Sequence, residues 1–214
     1  MFDFLEVTQV DLTETVVDTS NRQRIFLDLE GSLTTKGDII QLATITTDWD
    51  FNVTGVSNMY FKNHKPILEE EFRVHKISEE FLATNARGHF TEMLPYLPLF
   101  PDKPTMFISY TTFDIGRIQD ELRTHNLPLV KFGAEVSDLA TEPDPINNCH
   151  FNAFKLGKKK GDLVSKELGD GVFEGIYREL NKFGHYPMKA NHDALYDTVM
   201  ILALCRRLTN EQFG

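Results

Sequence analysis

The stretch Arg24-Ile25-Phe26-Leu27-Asp28-Leu29-Glu30 decides the fold. Its run of bulky hydrophobics reads as a central strand buried on both faces, and side chains two apart on a strand share a face. Asp28 and Glu30 therefore point the same way, where apolar side chains are expected. Two carboxylates held together at low dielectric repel each other and take up a proton unless a cation neutralises them. A hard divalent ion with oxygen ligands meets that need. On this stretch alone, a strand that stops at Leu27 and leaves both acids in water reads equally well.

Beyond Glu30, Gly31-Ser32-Leu33-Thr34-Thr35-Lys36-Gly37-Asp38 carries turn chemistry and separates the first strand from a second over Ile39–Thr47. Asp48-Trp49-Asp50 turns the chain into a third over Phe51–Phe61, which completes an antiparallel meander. Asn63 to Glu71, with Pro66, reads as loop, and Ser78 caps a short helix. Another helix covers Phe90 to Leu97 and stops near Pro98 and Pro101. The pattern then alternates. Thr105–Ser109 is a buried strand and Asp114–His125 an amphipathic helix with Ile115, Ile118 and Leu122 on one side. Glu135–Leu139 reads as strand, Lys160–Leu168 and Gly175–Phe183 as helices, and Asn191–Leu208 as the last and longest helix. A meander followed by strand–helix alternation predicts an α/β domain, with a mixed sheet in which parallel strands follow the meander and helices flank it. We place the domain at residues 24–210, with residues 1–23 as an N-terminal extension.

The chain has 214 residues with 22 basic against 32 acidic, a net charge of −10, which is the wrong sign for broad, sequence-independent binding to duplexes. A site that holds only a strand end through metal ions and a local basic rim is compatible with that charge. No apolar run reaches the roughly 20 residues of a membrane span, and the N-terminus lacks the basic-then-apolar pattern of a signal peptide. The expectation is a cytoplasmic protein with no membrane partner. Cys149 and Cys205 form no metal-ligand pattern and read as free buried thiols.

Two further acids belong with the first pair. Asp114 follows a strand and heads a helix, where an acid ordinarily caps orphan N–H groups or meets the dipole. A strand beside and parallel to the first would carry its C-terminal loop to Asp28 and Glu30, the edge where open α/β sheets place their sites. The second stretch is Asn191-His192-Asp193-Ala194-Leu195-Tyr196-Asp197, at the head of the last apolar helix. On a regular helix, residues five apart lie roughly 140° apart. His192 and Asp197 converge only if His192 sits at the entry, before the helix begins. Asp193 reads as a surface acid favoured by the dipole. Asp197, on a core-seeking face, asks for a partner.

These pieces in this order resemble the DEDDh family of 3′-to-5′ exonucleases, which includes the proofreading subunit of bacterial DNA polymerase III, oligoribonuclease and RNase T. The motifs are Asp28-Leu29-Glu30, then Phe113-Asp114, then His192 and Asp197 separated by four residues, and the match runs from Arg24 to Leu208. Val74-His75-Lys76-Ile77-Ser78 also looks like the His-Gly-Ile-Thr segment of many members. Two departures lie on the substrate side. Gly31-Ser32-Leu33-Thr34 replaces the usual Thr-Thr-Gly-Leu, and Tyr110-Thr111-Thr112 stands where many members have His-Asn.

The resemblance implies an RNase H-like fold and two Mg²⁺ or Mn²⁺ ions held by Asp28, Glu30, Asp114 and Asp197. Two ions about 3.5–4 Å apart suit phosphodiester hydrolysis. His192 would be the general base, histidine being the side chain that exchanges protons near neutral pH. The substrate would be a single-stranded DNA or RNA 3′ end and the products nucleoside 5′-monophosphates. Gly31, Ser32, Leu33, Ile77 and Phe113 are candidates for contacting the terminal nucleotide, although core packing explains the apolar three equally well. Lys158 and Lys159 lie in a basic cluster with Lys155, Lys160 and Lys166 that could escort the backbone or simply be a solvated face. Gln9-Val10-Asp11-Leu12 loosely resembles a sliding-clamp-binding peptide, which would point to a clamp or polymerase partner. Thr13 stands where that peptide carries a large apolar residue, and an edge strand is the preferred reading. Two other functions fit the same residues: a non-catalytic nucleic-acid- or polymerase-binding module, and a phosphodiesterase for very short oligonucleotides.

Overall fold

A computed structural model describes residues 22–31, 38–143, 148–156, 170–186 and 192–213. Strand β1 (Gln23–Gly31) lies in the sheet interior, antiparallel to β2 (Ile39–Thr47), which pairs antiparallel with β3 (Val53–Tyr60). Helices α1 (Glu69–His75), α2 (Glu79–Asn85) and α3 (Phe90–Met93) follow, the last running into a 3-10 turn over Leu94–Tyr96. Then come β4 (Thr105–Ser109), α4 (Thr112–Thr124), β5 (Ala134–Val136) and β6 (Cys149–Asn152), with a 3-10 turn over Ala153–Leu156. Two helices end the chain, α5 (Asp170–Leu180) and α6 (Ala194–Phe213). The sheet order is β3-β2-β1-β4-β6-β5, and β4 is parallel to β1. This is the mixed sheet that the sequence predicts.

Strand alternation divides the core. Ile25, Leu27 and Leu29 face a cluster built with Phe90, Ile115, Ile118 and Leu122 of α3 and α4. Phe26 faces the opposite cluster, shared with Ile45 of β2 and with α5 and α6, including Phe173, Val199, Leu202 and Cys205. Period-two geometry then assigns Arg24, Asp28 and Glu30 to the α6 side. Residues 194–205 of α6 are buried at every position, so this helix is a core element rather than an amphipathic cover.

Several elements differ from the sequence reading, among them α5, which spans Asp170–Leu180 in place of Gly175–Phe183. The expected loop ends sooner, because Glu69 already opens the helix Glu69–His75: Glu69, Glu70 and Glu71 fill its first turn, where the dipole favours acids, and the Glu71 carboxylate accepts from Leu68 N–H at 3.0 Å. The strand expected at Glu135–Leu139 is shorter and begins at Ala134. It follows Gly133 at φ +74°, where a Cβ would fall 1.5 Å from the Asn148 carbonyl oxygen. Strand β6 was not foreseen, because Cys149-His150-Phe151-Asn152 is too short and mixed to show a period, although Cys149 and Phe151 are buried between half-buried neighbours. Both cysteines are free and buried, as expected. Residues 1–21, with the clamp-like peptide, and the helix expected at 160–168 lie outside the described residues.

Candidate active site

Three elements bring acids to one end of the sheet. Asp28 and Glu30 close β1, level with Ala43 and Gln41 of β2. Phe26 pairs with Ile108, so the parallel strand β4 ends beside Asp28 and hands the chain to α4. There Thr111 is the N-cap, its hydroxyl accepting from Phe113 N–H at 3.2 Å, and Asp114 is the third helical residue. Asp197 lies in the first turn of α6. All four carboxylates are nearly enclosed, with Asp28 5%, Glu30 8%, Asp114 7% and Asp197 4% exposed. Ligand atoms of Glu30, His192 and Asp197 lie within 4.8 Å of one another.

The entry to α6 explains how His192 reaches across. His192 has φ 63°, in the left-handed region that few non-glycine residues adopt. It precedes the helix, is exposed, and turns its imidazole back to the carboxylates. Asp193 is the helix cap, which corrects its reading as a surface acid. One of its carboxylate oxygens accepts from Leu195 and Tyr196 N–H at 3.2 and 3.3 Å, and the other from Gln41 Nε2 and Tyr60 hydroxyl at 3.2 and 3.3 Å. Fully buried Gln41 also accepts from Ala194 N–H at 3.2 Å and donates to Asn58 Oδ1 at 2.9 Å. Strands β2 and β3 thus clamp the helix start that carries His192 and Asp197. The sequence reading did not single out Gln41 or Tyr60. A buried glutamine inside the apolar run Ile39-Ile40-Gln41-Leu42 was the available signal.

The remaining predicted positions are placed as follows. His75 is the last residue of α1, 5% exposed, with Nδ1 accepting from Ile77 N–H at 3.0 Å. Burial pushes its pKa below the ordinary histidine value; Glu71 opposes the shift and nearby His192 adds to it. Ile77 is packed in a small apolar cluster with Ile40 and Leu82. Phe113 is 51% exposed beside buried Asp114. Gly31 follows a bulge at the end of β1, and a Cβ there would come 2.3 Å from the Asp38 carbonyl oxygen. Ser32, Leu33, Lys158 and Lys159 lie outside the described residues.

The donor set suits a hard divalent cation: carboxylate oxygens of buried Glu30 and Asp197 converge with the imidazole of exposed His192. Like charges this close repel by on the order of 3 kcal/mol at an effective dielectric near 20, which a bound cation would reverse.

No protein-family model matches the sequence, and no curated protein matches it. Solved structures do. Exonuclease I of E. coli in complex with single-stranded DNA, in its zinc-ion-bound form, matches at TM-score 0.62 and 16% identity, over 90% of this chain and 41% of that one. Apo exonuclease I matches at TM-score 0.58 and 17% identity, over 90% and 44%. The nuclease domain of 3′hExo, a DEDDh family member bound to rAMP, matches at TM-score 0.55 and 10% identity, over 88% and 92%. This chain therefore spans about two-fifths of the exonuclease I chains and nearly all of the 3′hExo domain. What these structures share with this chain is the fold, an RNase H-like mixed sheet flanked by helices.

Proposed function

We propose that this chain is a metal-dependent 3′-to-5′ exonuclease that hydrolyses the terminal phosphodiester of single-stranded DNA or RNA and releases nucleoside 5′-monophosphates. The observation that carries the reading is the convergence of Glu30, His192 and Asp197 at the sheet end where Asp28 and Asp114 are also placed. The fold neighbours support it, because they include exonuclease I solved with single-stranded DNA. Asp28, Glu30, Asp114 and Asp197 would hold two Mg²⁺ or Mn²⁺ ions. Bound there, the ions would supply Lewis acidity, acidifying the attacking water and offsetting charge on the leaving 3′-oxygen.

The chain's own residues do the rest. His192, exposed and ahead of the helix, accepts the proton from the attacking water. The hydrogen-bonded cap of Asp193, Gln41 and Tyr60 fixes the helix start, so the imidazole and the Asp197 carboxylate keep their relative placement. Phe113 offers an exposed ring against which the terminal base can stack.

The test is a single-stranded oligonucleotide labelled at its 5′ end and incubated with the protein in Mn²⁺, Mg²⁺ or EDTA. A ladder shortening from the 3′ end in either metal and not in EDTA is expected, with His192→Ala slowing it about 10²–10⁴-fold. Intact substrate in both metals, or internal cuts, would overturn the reading.

A further inference from the structure

A groove of about 300 Å³ runs along β3, the outermost strand of the sheet among the described residues, and is lined by its residues 56–60 and by Asn85, Arg87 and Tyr186. Because β3 is an edge strand, alternate residues of its backbone turn N–H and C=O groups into this groove. Asn58 has its Oδ1 engaged by Gln41, which leaves its amide N–H groups as what it presents there. Arg87 is exposed and has no ion-pair or hydrogen-bond partner among the described residues, a notable disposition in a chain of net charge −10. Tyr60 and Tyr186 are half-buried on the groove wall. The Tyr60 ring is held edge-on against Phe81 at 4.9 Å, and Tyr186 N–H donates to Asn181 Oδ1 at 2.8 Å.

One residue links the groove to the carboxylate end of the sheet. Tyr60 lines the groove and also donates its hydroxyl to Asp193, the neighbour of His192. We propose that this groove is a second nucleotide subsite, in which Arg87 pairs with a backbone phosphate on the 5′ side of the scissile bond and Tyr186 packs against the attached base. The proposal rests on the exonuclease reading for its direction: the 3′-terminal nucleotide fills the carboxylate pocket and the strand leaves over β3. An uncommitted guanidinium matches the charge of a phosphodiester, edge-strand donors and the Asn58 amide match its oxygens, and aromatic rings accept any base. The overall negative charge then helps, because attraction confined to one track keeps the strand from binding elsewhere on the surface.

The experiment measures binding of a fluorescent tetranucleotide to the full chain carrying Asp28→Asn, in Mg²⁺, so that turnover does not consume the probe. Arg87→Glu in that background should raise Kd about 10-fold and flatten the dependence of log Kd on log salt. Arg123→Glu, an equal charge reversal on α4 where Arg123 pairs with Asp120 at 2.7 Å, controls for net charge and should stay within about 2-fold. The Arg87→Glu penalty should disappear when thymidine 5′-monophosphate replaces the tetranucleotide. Equal effects of the two reversals, no effect of Arg87→Glu, or the same penalty for the mononucleotide would each overturn the subsite. Failure of the exonuclease reading looks different: wild-type protein would bind the tetranucleotide and leave it uncut in Mn²⁺.

Discussion

The two ends of β1 both bury charge on the α6 side, and they do so in opposite ways. At the start, Arg24 is 3% exposed and its guanidinium lies between the Trp49 ring at 3.6 Å and the Phe51 ring at 4.1 Å. It donates to the Trp49 carbonyl and, at 3.2 Å, to the Leu139 carbonyl. Burial lowers its pKa to about 10, so it stays charged at neutral pH. At the far end, about 13 Å along the strand for Asp28 and about 20 Å for Glu30, the two acids share a face and Glu30 meets Asp197 and His192. The first charge is matched with groups of complementary character. The second set gathers like with like, which costs stability and is retained where a ligand reverses the sign. Burial of charge alone therefore does not mark a site; a gathering of like charges does.

The contrast breaks most visibly if single variants at the two ends give the same phenotype. Asp197→Asn should reduce nucleotide release by on the order of 10³-fold while leaving metal-free stability unchanged or raised, because one member of a repelling group is neutralised. Arg24→Met should do the reverse. It keeps the hydrophobic volume but strips two carbonyls and two rings of their cation, for a loss of about 2–4 kcal/mol in denaturant unfolding with rates preserved in the folded protein. If Arg24→Met impairs turnover as strongly as Asp197→Asn, the two ends do not have separate duties.

A divalent ion sharpens the comparison. At about 100 times its Kd, Mg²⁺ or Mn²⁺ should stabilise the protein by about 2.7 kcal/mol, roughly 5–10 °C in Tm. Calorimetry should show that shift in wild type and in Arg24→Met, and should not show it in Asp197→Asn. A shift that survives Asp197→Asn would move the cation away from these carboxylates.

How much of this was legible in the sequence follows from range. The meander, the buried β4 and the helix after it announce themselves through local periodicity and turn residues, and Asp28, Glu30 and Asp114 sit at the ends of those local elements. What the sequence did not show is tertiary. Asp193 reads as a surface acid until Gln41 and Tyr60, more than 130 positions away in sequence, donate to it. Helix α1 was hidden because Pro66 and three successive glutamates resemble a loop, whereas the glutamates populate a first turn. Lys76 shows the converse. It has φ 58° at the left-handed cap of α1, the position of glycine in the His-Gly-Ile-Thr segment that Val74–Ser78 resembles, so this chain holds with a lysine a conformation that glycine adopts most readily.

The smallest effect probes the quiet end. Cys149 and Cys205 both lie within electrostatic range of Arg24, yet burial outweighs that cation and raises their pKa values from 9.0 to about 11 and about 12. Between pH 9 and 10 both thiols would lose protons in the unfolded chain and keep them in the folded one. The unfolded state then binds fewer protons, so stability falls as pH rises, by about 1 kcal/mol per thiol across that interval. Above about 10 the lowered pKa of Arg24 acts in the opposite direction, which fixes the upper end of the window. Denaturant unfolding of wild type and Cys205→Ala at pH 8, 9 and 10 isolates one thiol, and the stability difference between them should shrink by about 1 kcal/mol over the last step. A constant difference would mean that Cys205 ionises as readily inside as outside, and that the α6 side near Arg24 admits water as the carboxylate end must.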